Sequence, residues 1–248
     1  MKTSHSYRDQ LLNEGFAIMN GVLGSEEIEV LLSSFENLGQ SESIRRRGGV
    51  FAVRNLLDVS PEVRGLAQCP RVRKIVGSIL GPQAFPVRGI LFDKTPEANW
   101  KVPWHQDLTI AVTSRKELEG FGPWSMKAGV LHVQPPAHVL ENMFSIRIHL
   151  DPCGEANGAL KVIPGSHRLG RIPAVEVFRV VSAFPVTICS VLAGDAVLMR
   201  PLVLHSSSAS QIPQHRRVIH LDFAGNALPG GLRWAVSETG HVHEPLPH

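Results

Sequence analysis

Cysteine is nearly absent from this chain of 248 residues: Cys69, Cys153 and Cys189 are odd in number and far apart. That spacing excludes a disulfide framework and any Cys-x-x-Cys metal or redox site. Also missing is an apolar run of membrane-spanning length. The opening Met1-Lys2-Thr3-Ser4-His5-Ser6 leads into polar sequence, without the apolar stretch of a secretory signal. A soluble protein of a reducing, cytoplasmic compartment is therefore expected. Charge of one sign is scarce too: the formal net charge is +3, and without a basic face or stripe a nucleic-acid partner is not expected. The densest basic spot, Arg45-Arg46-Arg47 beside Gly48-Gly49, reads as a solvated loop or as an arm over an anionic substrate. No repeat, low-complexity tract or linker divides the chain, so one domain over 1–248 is expected. Oligomeric state has no signature in the sequence.

What is present is core-forming material, 43% of residues being apolar, too many for a disordered chain. The first 83 residues read as a mainly helical support layer. A short helix over 4–14 precedes a strand, Phe16-Ala17-Ile18-Met19, that ends at Asn20-Gly21. Ser25 reads as the cap of a helix over 25–38, with Glu26 and Glu27 favourable at its positive end. Ile28, Leu31, Leu32, Phe35 and Leu38 make its apolar stripe. Ser60-Pro61 and Pro70 open further helices, the second running through Val72, Ile75, Val76, Ile79 and Leu80 to Gly81-Pro82.

From residue 84 strand patterns take over: 84–93, 102–108, 143–151, 159–163, 185–191, 195–204 and 216–223, separated by Gly, Pro and Asn-Gly turns. Helices first and many short strands afterwards predict an α+β, mainly β fold whose strands form a closed barrel or jelly roll over 84–225. Residues 226–248 follow as a tail. Two strands are amphipathic. Phe144, Ile146, Ile148 and Leu150 alternate with Ser145, Arg147, His149 and Asp151; Ile219, Leu221 and Phe223 alternate with Arg216, Val218, His220 and Asp222. Their apolar faces would cover the helices, and their polar faces would line a water-accessible interior.

Against that frame, Pro103-Trp104-His105-Gln106-Asp107-Leu108 puts two metal-ligand side chains one residue apart. On an extended strand His105 and Asp107 project from the same face. Imidazole and carboxylate together suit Fe(II), whose oxygenase sites use two His and one carboxylate. His5, His241, His243 and His248 fall near the chain ends, and His167 lies in the turn Ile163-Pro164-Gly165-Ser166, where hydrogen bonding is expected rather than ligation. His205 stands apart, at the end of the apolar run Ala196–Leu204, as a third ligand or a core histidine. Arg216, eleven residues on, is placed to meet a carboxylate in a bidentate ion pair.

This ordered set resembles the phytanoyl-CoA dioxygenase-like (PhyH-like) family of Fe(II)/2-oxoglutarate oxygenases, over roughly residues 10–225. It comprises Glu14-Gly15-Phe16, His105-Gln106-Asp107-Leu108, Asn157-Gly158-Ala159-Leu160, Pro164-Gly165-Ser166-His167, Gly194-Asp195 and His205. The resemblance implies a double-stranded β-helix (jelly-roll, cupin-like) core flanked by the N-terminal helices. It implies Fe(II) held by His105, Asp107 and His205, with 2-oxoglutarate and O2 as cosubstrates. Arg216 would hold the distal carboxylate of 2-oxoglutarate, helped by Ser207, Gln106 and Arg147. Arg217 is the neighbouring competitor, but it falls in the apolar row. The implied reaction is hydroxylation of an unactivated C–H bond in a small-molecule substrate, with release of succinate and CO2. The carboxylate at 107 favours hydroxylation over halogenation.

Residues 109–142 form a long connection that reads as a lid-like insertion. His132 and Gln134 are expected at the cavity mouth in contact with substrate, and Trp104 as a pocket wall. Two other readings stand beside this one: a cupin-type metalloenzyme that does not use 2-oxoglutarate, and a catalytically inactive jelly-roll binding module.

Overall fold

The computed structural model describes residues 6–38, 44–47, 49–212 and 214–235. His5, His241, His243 and His248 lie outside them, as do the side chains of Arg45–Arg47. Two sheets face each other as a jelly roll. The major sheet has seven strands in the order Phe16–Met19, Ala196–Met199, Met143–His149, Arg216–Ala224, Phe85–Lys94, Gly49–Val53, Ile44–Arg47. The minor sheet orders Thr187–Cys189, Leu160–Val162, His205–Ser207, Val102–His105. A third, three-stranded sheet is formed by Ile110–Val112, Val130–Val133 and Trp124–Lys127.

The helices cover the outer face of the major sheet. Phe144, Ile146, Ile148, Ile219, Leu221 and Phe223 share one buried cluster with Leu31, Phe35, Val63, Val72, Ile75 and Val76. Each such side chain contributes about 1.5–3 kcal/mol when fully buried. The alternation in the two amphipathic strands thus decides which way the sheet faces, as expected. No helix among the described residues is long and apolar enough to cross a membrane.

Four departures have physical reasons. Helix Ser25–Glu36 is capped at Gly24 rather than Ser25, the Glu27 carboxylate accepting from Gly24 N–H at 2.9 Å. The expected strand 195–204 stops at Met199, and the next strand, in the other sheet, starts only at His205. At Pro201, which has no N–H for a ladder, the chain turns, Arg200 N–H donating to Gly15 O and Val203 N–H to Arg200 O. The insertion 109–142 is not an open loop, because its short alternating runs pair into the third sheet. The strand at 102–108 stops at His105, and Asp107 N–H leaves the ladder to bond Pro201 O at 2.9 Å.

Candidate metal centre

His205 and His105 sit directly opposite one another in the minor sheet. Asp107, beyond the strand end, is pinned at the crossover by its bond to Pro201 O. His105 Nε2 lies 3.8 Å from Asp107 Oδ1, and His205 Nε2 lies 3.7 Å from Asp107 Oδ2. The three ligand atoms fall within 4.8 Å of one another, and no other group of His, Cys, Asp or Glu among the described residues gathers this way. Each imidazole donates its Nδ1–H to the carbonyl two residues earlier, His105 to Pro103 O and His205 to Val203 O. That fixes the tautomer and leaves both Nε2 lone pairs facing the carboxylate. Burial holds His205 down to about 4, against the attraction of Asp107. Burial raises Asp107, but His205, His220, His105 and Arg88 outweigh it and bring the carboxyl to about 2. Asp107 Oδ2 is buried with no hydrogen-bond partner. Ionised carboxylate, free imidazole lone pairs and an orphaned oxygen are the donor set a divalent ion requires.

Behind the triad, the major sheet presents cations. Arg216 pairs in register with Lys94, and both are buried, 5% and 1% exposed. Arg216 Nη1 donates to Gly158 O, while its Nε has no partner. Lys94 Nζ donates to Ser208 O at 2.5 Å and Ser207 Oγ at 3.3 Å, and lies 5.7 Å from the Trp100 ring. Burial, then Arg216 and Arg147, lower this lysine to about 7. Arg147 Nη1 donates to His220 Nδ1 at 2.9 Å; its Nε is buried without a partner, as are both ring nitrogens of His149. Burial, with Arg147 and Arg216 nearby, pushes His149 down to about 3, leaving it neutral. The two carbonyls that receive Arg216 and Lys94 are brought together by Gly158, whose φ is +67° and where a Cβ would stand 2.4 Å from Ser208 O. Among the described residues none of Arg216, Lys94 and Arg147 is in an ion pair, so a carboxylate brought from outside would meet unmatched donors. Arg217 is the opposite case: it faces away and grips Asp151 at 2.6 and 2.9 Å.

Three expected site residues make contacts within the protein. Gln106 alternates away from the metal, and its amide is saturated by backbone, donating to Gly170 O and Leu202 O and accepting from Ile172 N–H. It braces the strand instead of meeting a cosubstrate. Trp104 shares that face and packs on Ile163, Ile172, Val180 and Leu204. Gln134 accepts from Arg171 at 2.5 Å. His132 shares a face of the third sheet with Lys127, opposite the apolar face of Ile110, Val112 and Val133. His167 hydrogen-bonds Leu12 O and packs on Gly15, with Gly165 N–H on Glu14 O, so two of the recurring motifs form one clamp.

The residues missed in the sequence are Lys94, His149 and Arg88. Arg88 anchors a buried chain: Arg147 to His220 Nδ1, His220 Nε2–H to Asp222 Oδ1 at 2.7 Å, Ser145 to the same oxygen at 2.6 Å, and Arg88 to Asp222 Oδ2 at 2.5 Å. Cross-strand register, rather than spacing along the chain, assembles it.

The chain is similar to known proteins in sequence and in fold. An ectoine dioxygenase of Bordetella parapertussis is 27% identical over 164 residues, covering 62% of this chain and 46% of the relative. The chain thus spans about half the length of the curated relatives it matches. The crystal structure of AviO1 from Streptomyces viridochromogenes is 24% identical with TM-score 0.64, over 90% of this chain and 95% of that one. EctD from S. alaskensis, solved with 2-oxoglutarate and 5-hydroxyectoine, is 18% identical with TM-score 0.67, over 87% and 73% of the two chains; it has also been solved with bound Fe. Residues 12–218 match the phytanoyl-CoA dioxygenase (PhyH) family, and the chain belongs to that family.

Proposed function

We propose that this protein is an Fe(II)- and 2-oxoglutarate-dependent dioxygenase that hydroxylates an unactivated C–H bond of a small molecule. One observation carries the reading: a His-Asp-His set with an orphaned carboxylate oxygen lies within electrostatic reach of buried, unmatched cations on the facing sheet. His105, Asp107 and His205 would hold the iron. Arg216, with Lys94 and Ser207, would take the distal carboxylate of 2-oxoglutarate, and Arg147 with His149 would supply further donors. When bound, iron and 2-oxoglutarate supply an oxidant made from O2, with succinate and CO2 released beside the hydroxylated product.

The protein's own part is orientation and exclusion. The i−2 carbonyls hold both imidazoles in the ligating tautomer, and Gln106 stiffens the strand between the ligands. The third sheet, held by Lys127 on Thr109 and by apolar packing, would limit bulk water at the open side once substrate is bound. A non-halogenating outcome is supported by Asp107, whose carboxylate occupies the ligand position. The EctD complex, with a hydroxylated small molecule beside 2-oxoglutarate, supports the reaction class. A cupin without 2-oxoglutarate would leave Arg216, Lys94 and Arg147 with no anion to meet. An inactive module would leave Asp107 Oδ2 buried and unsatisfied for no purpose.

Anaerobic addition of Fe(II) and 2-oxoglutarate should give a weak visible charge-transfer band, with Fe(II)-dependent succinate release in air. His205→Ala should abolish both. A band that survives His205→Ala would mean the wrong third ligand, and no band in the wild type would sink the reading.

A further inference from the structure

The third sheet has a polar face, and Lys127 on it is near enough to Asp107 to feel its charge. By register and alternation Thr109, Ala111, Ser125, Lys127 and His132 share that face. Arg88, on the major sheet, reaches the same place: Lys127 Nζ donates to Thr109 Oγ1 at 2.9 Å and Arg88 Nη1 to Thr109 O at 3.5 Å. Thr109 is two residues from Asp107. The electrostatics agree with the register. Burial, then Arg88 and Arg54, hold the Lys127 ammonium below its ordinary range, with Asp107 the opposing charge. Arg88 is already matched by Asp222, whereas Lys127 meets no carboxylate within salt-bridge distance among the described residues.

His132 adds a different chemistry. It is buried, and its Nδ1–H donates to Val130 O at 3.0 Å, the same i−2 bond made by His105 and His205. Burial keeps it neutral, near 4. Its Nε2 is therefore a lone pair, which accepts a hydrogen bond and repels an anionic oxygen. A phosphate fits this pair poorly, since Arg88 is engaged with Asp222 and Thr109 and Lys127 alone remains for three oxygens. A carboxylate next to a hydroxyl or N–H fits it well.

We propose that Lys127 and His132 form a substrate-recognition pair on the lid, taking a small carboxylic acid whose adjacent hydroxyl or amide N–H donates to His132 Nε2. This rests on the oxygenase reading of the same site. It names the substrate class that Lys127 and His132 favour, and it assigns the third sheet its recognition chemistry.

The test uses the full-length protein loaded anaerobically with Fe(II) and saturating 2-oxoglutarate, the charge-transfer band reporting that both are bound. Lactate, leucate and mandelate are titrated beside their primary amides, their deoxy acids and benzyl phosphate, with binding followed by calorimetry. The 2-hydroxy acids should bind about 10- to 100-fold more tightly than their amides. Lys127→Gln should remove that preference while the band remains, and His132→Phe should remove the preference for hydroxy over deoxy acid. The pair is overturned if no acid binds up to about 10 mM, if amides or benzyl phosphate bind as well as the acids, or if Lys127→Gln keeps the preference. Absence of the band in the wild type would instead overturn the oxygenase reading, a separate failure.

Discussion

Replacing Lys94 with Met should do two opposite things, both following from where the lysine sits. Without a bound anion its ammonium is buried beside Arg216 and Arg147, and burial together with these cations brings it to about 7. A carboxylate docking against Arg216 and Ser207 would restore the charged form, so cosubstrate binding above pH 7 takes up a proton. One pH unit above that value costs about 1.4 kcal/mol, or tenfold in affinity, and two units cost about a hundredfold. The wild-type Kd for 2-oxoglutarate, read from the anaerobic charge-transfer band, should be flat below about pH 6 and rise tenfold per unit from about pH 7. Lys94→Met should flatten that slope and weaken binding at neutral pH by about 1.5–3 kcal/mol, the worth of a hydrogen bond to a charged group. The sign for folding is reversed. The lysine's folded value lies below the ~10.4 of the unfolded chain, so without cosubstrate the wild type should gain stability as pH rises from 7 towards 10. Removing the buried charge should stabilise the cosubstrate-free protein by about 1–4 kcal/mol in urea unfolding at pH 7. A wild-type Kd independent of pH, or a variant with the wild-type slope, would refute the placement of Lys94 in the carboxylate site.

Two further predictions concern the buried frame. Asp222 is pulled far below the usual carboxylate range: burial opposes ionisation, but Arg88, His220 and Ser145 outweigh it. Its stabilisation is complete above about pH 4 and is lost as pH falls below that. Asp222→Asn should cost about 3–5 kcal/mol at pH 7 by stranding Arg88, and should flatten the acid limb of the stability curve; a loss under about 1 kcal/mol would contradict it. Gly158→Ala should weaken 2-oxoglutarate binding at least about tenfold, because the left-handed backbone and the contact with Ser208 O displace the carbonyls that hold Arg216 and Lys94. Fe(II) affinity, measured by equilibrium dialysis, should change little; equal loss of both would point to general unfolding.

Alternation is the informative signal in this sequence. The two-residue period put His105 and Asp107 together and sent Arg216, His220 and Asp222 inward, opposite the helices. The same period turns Gln106 and Trp104 away from the metal, a consequence that for Gln106 was overridden by the family likeness of the motif. Lys94 lies one residue past the expected strand 84–93, where no alternation marks it as inward-facing. Its burial depends on two partners distant in sequence, Arg216 across the ladder and the 207–208 turn. The break at Pro201 has a local cause, but that it carries the chain from one sheet to the other is decided by packing. In the lid, strands of three or four residues gave too short a periodic run to distinguish from loop.

The crossover at Arg200–Val203 has a mechanical consequence. Both histidine ligands ride on the minor sheet and Asp107 hangs from the crossover, whereas Arg216, Lys94 and Arg147 ride on the major sheet. A molecule gripping iron at one end and Arg216 at the other would rivet the two layers. Amide exchange should then slow in both sheets together, by the same factor 1 + [L]/Kd wherever opening requires the layers to part. The outer helices, whose hold on the major sheet does not cross the rivet, should keep their own local rates.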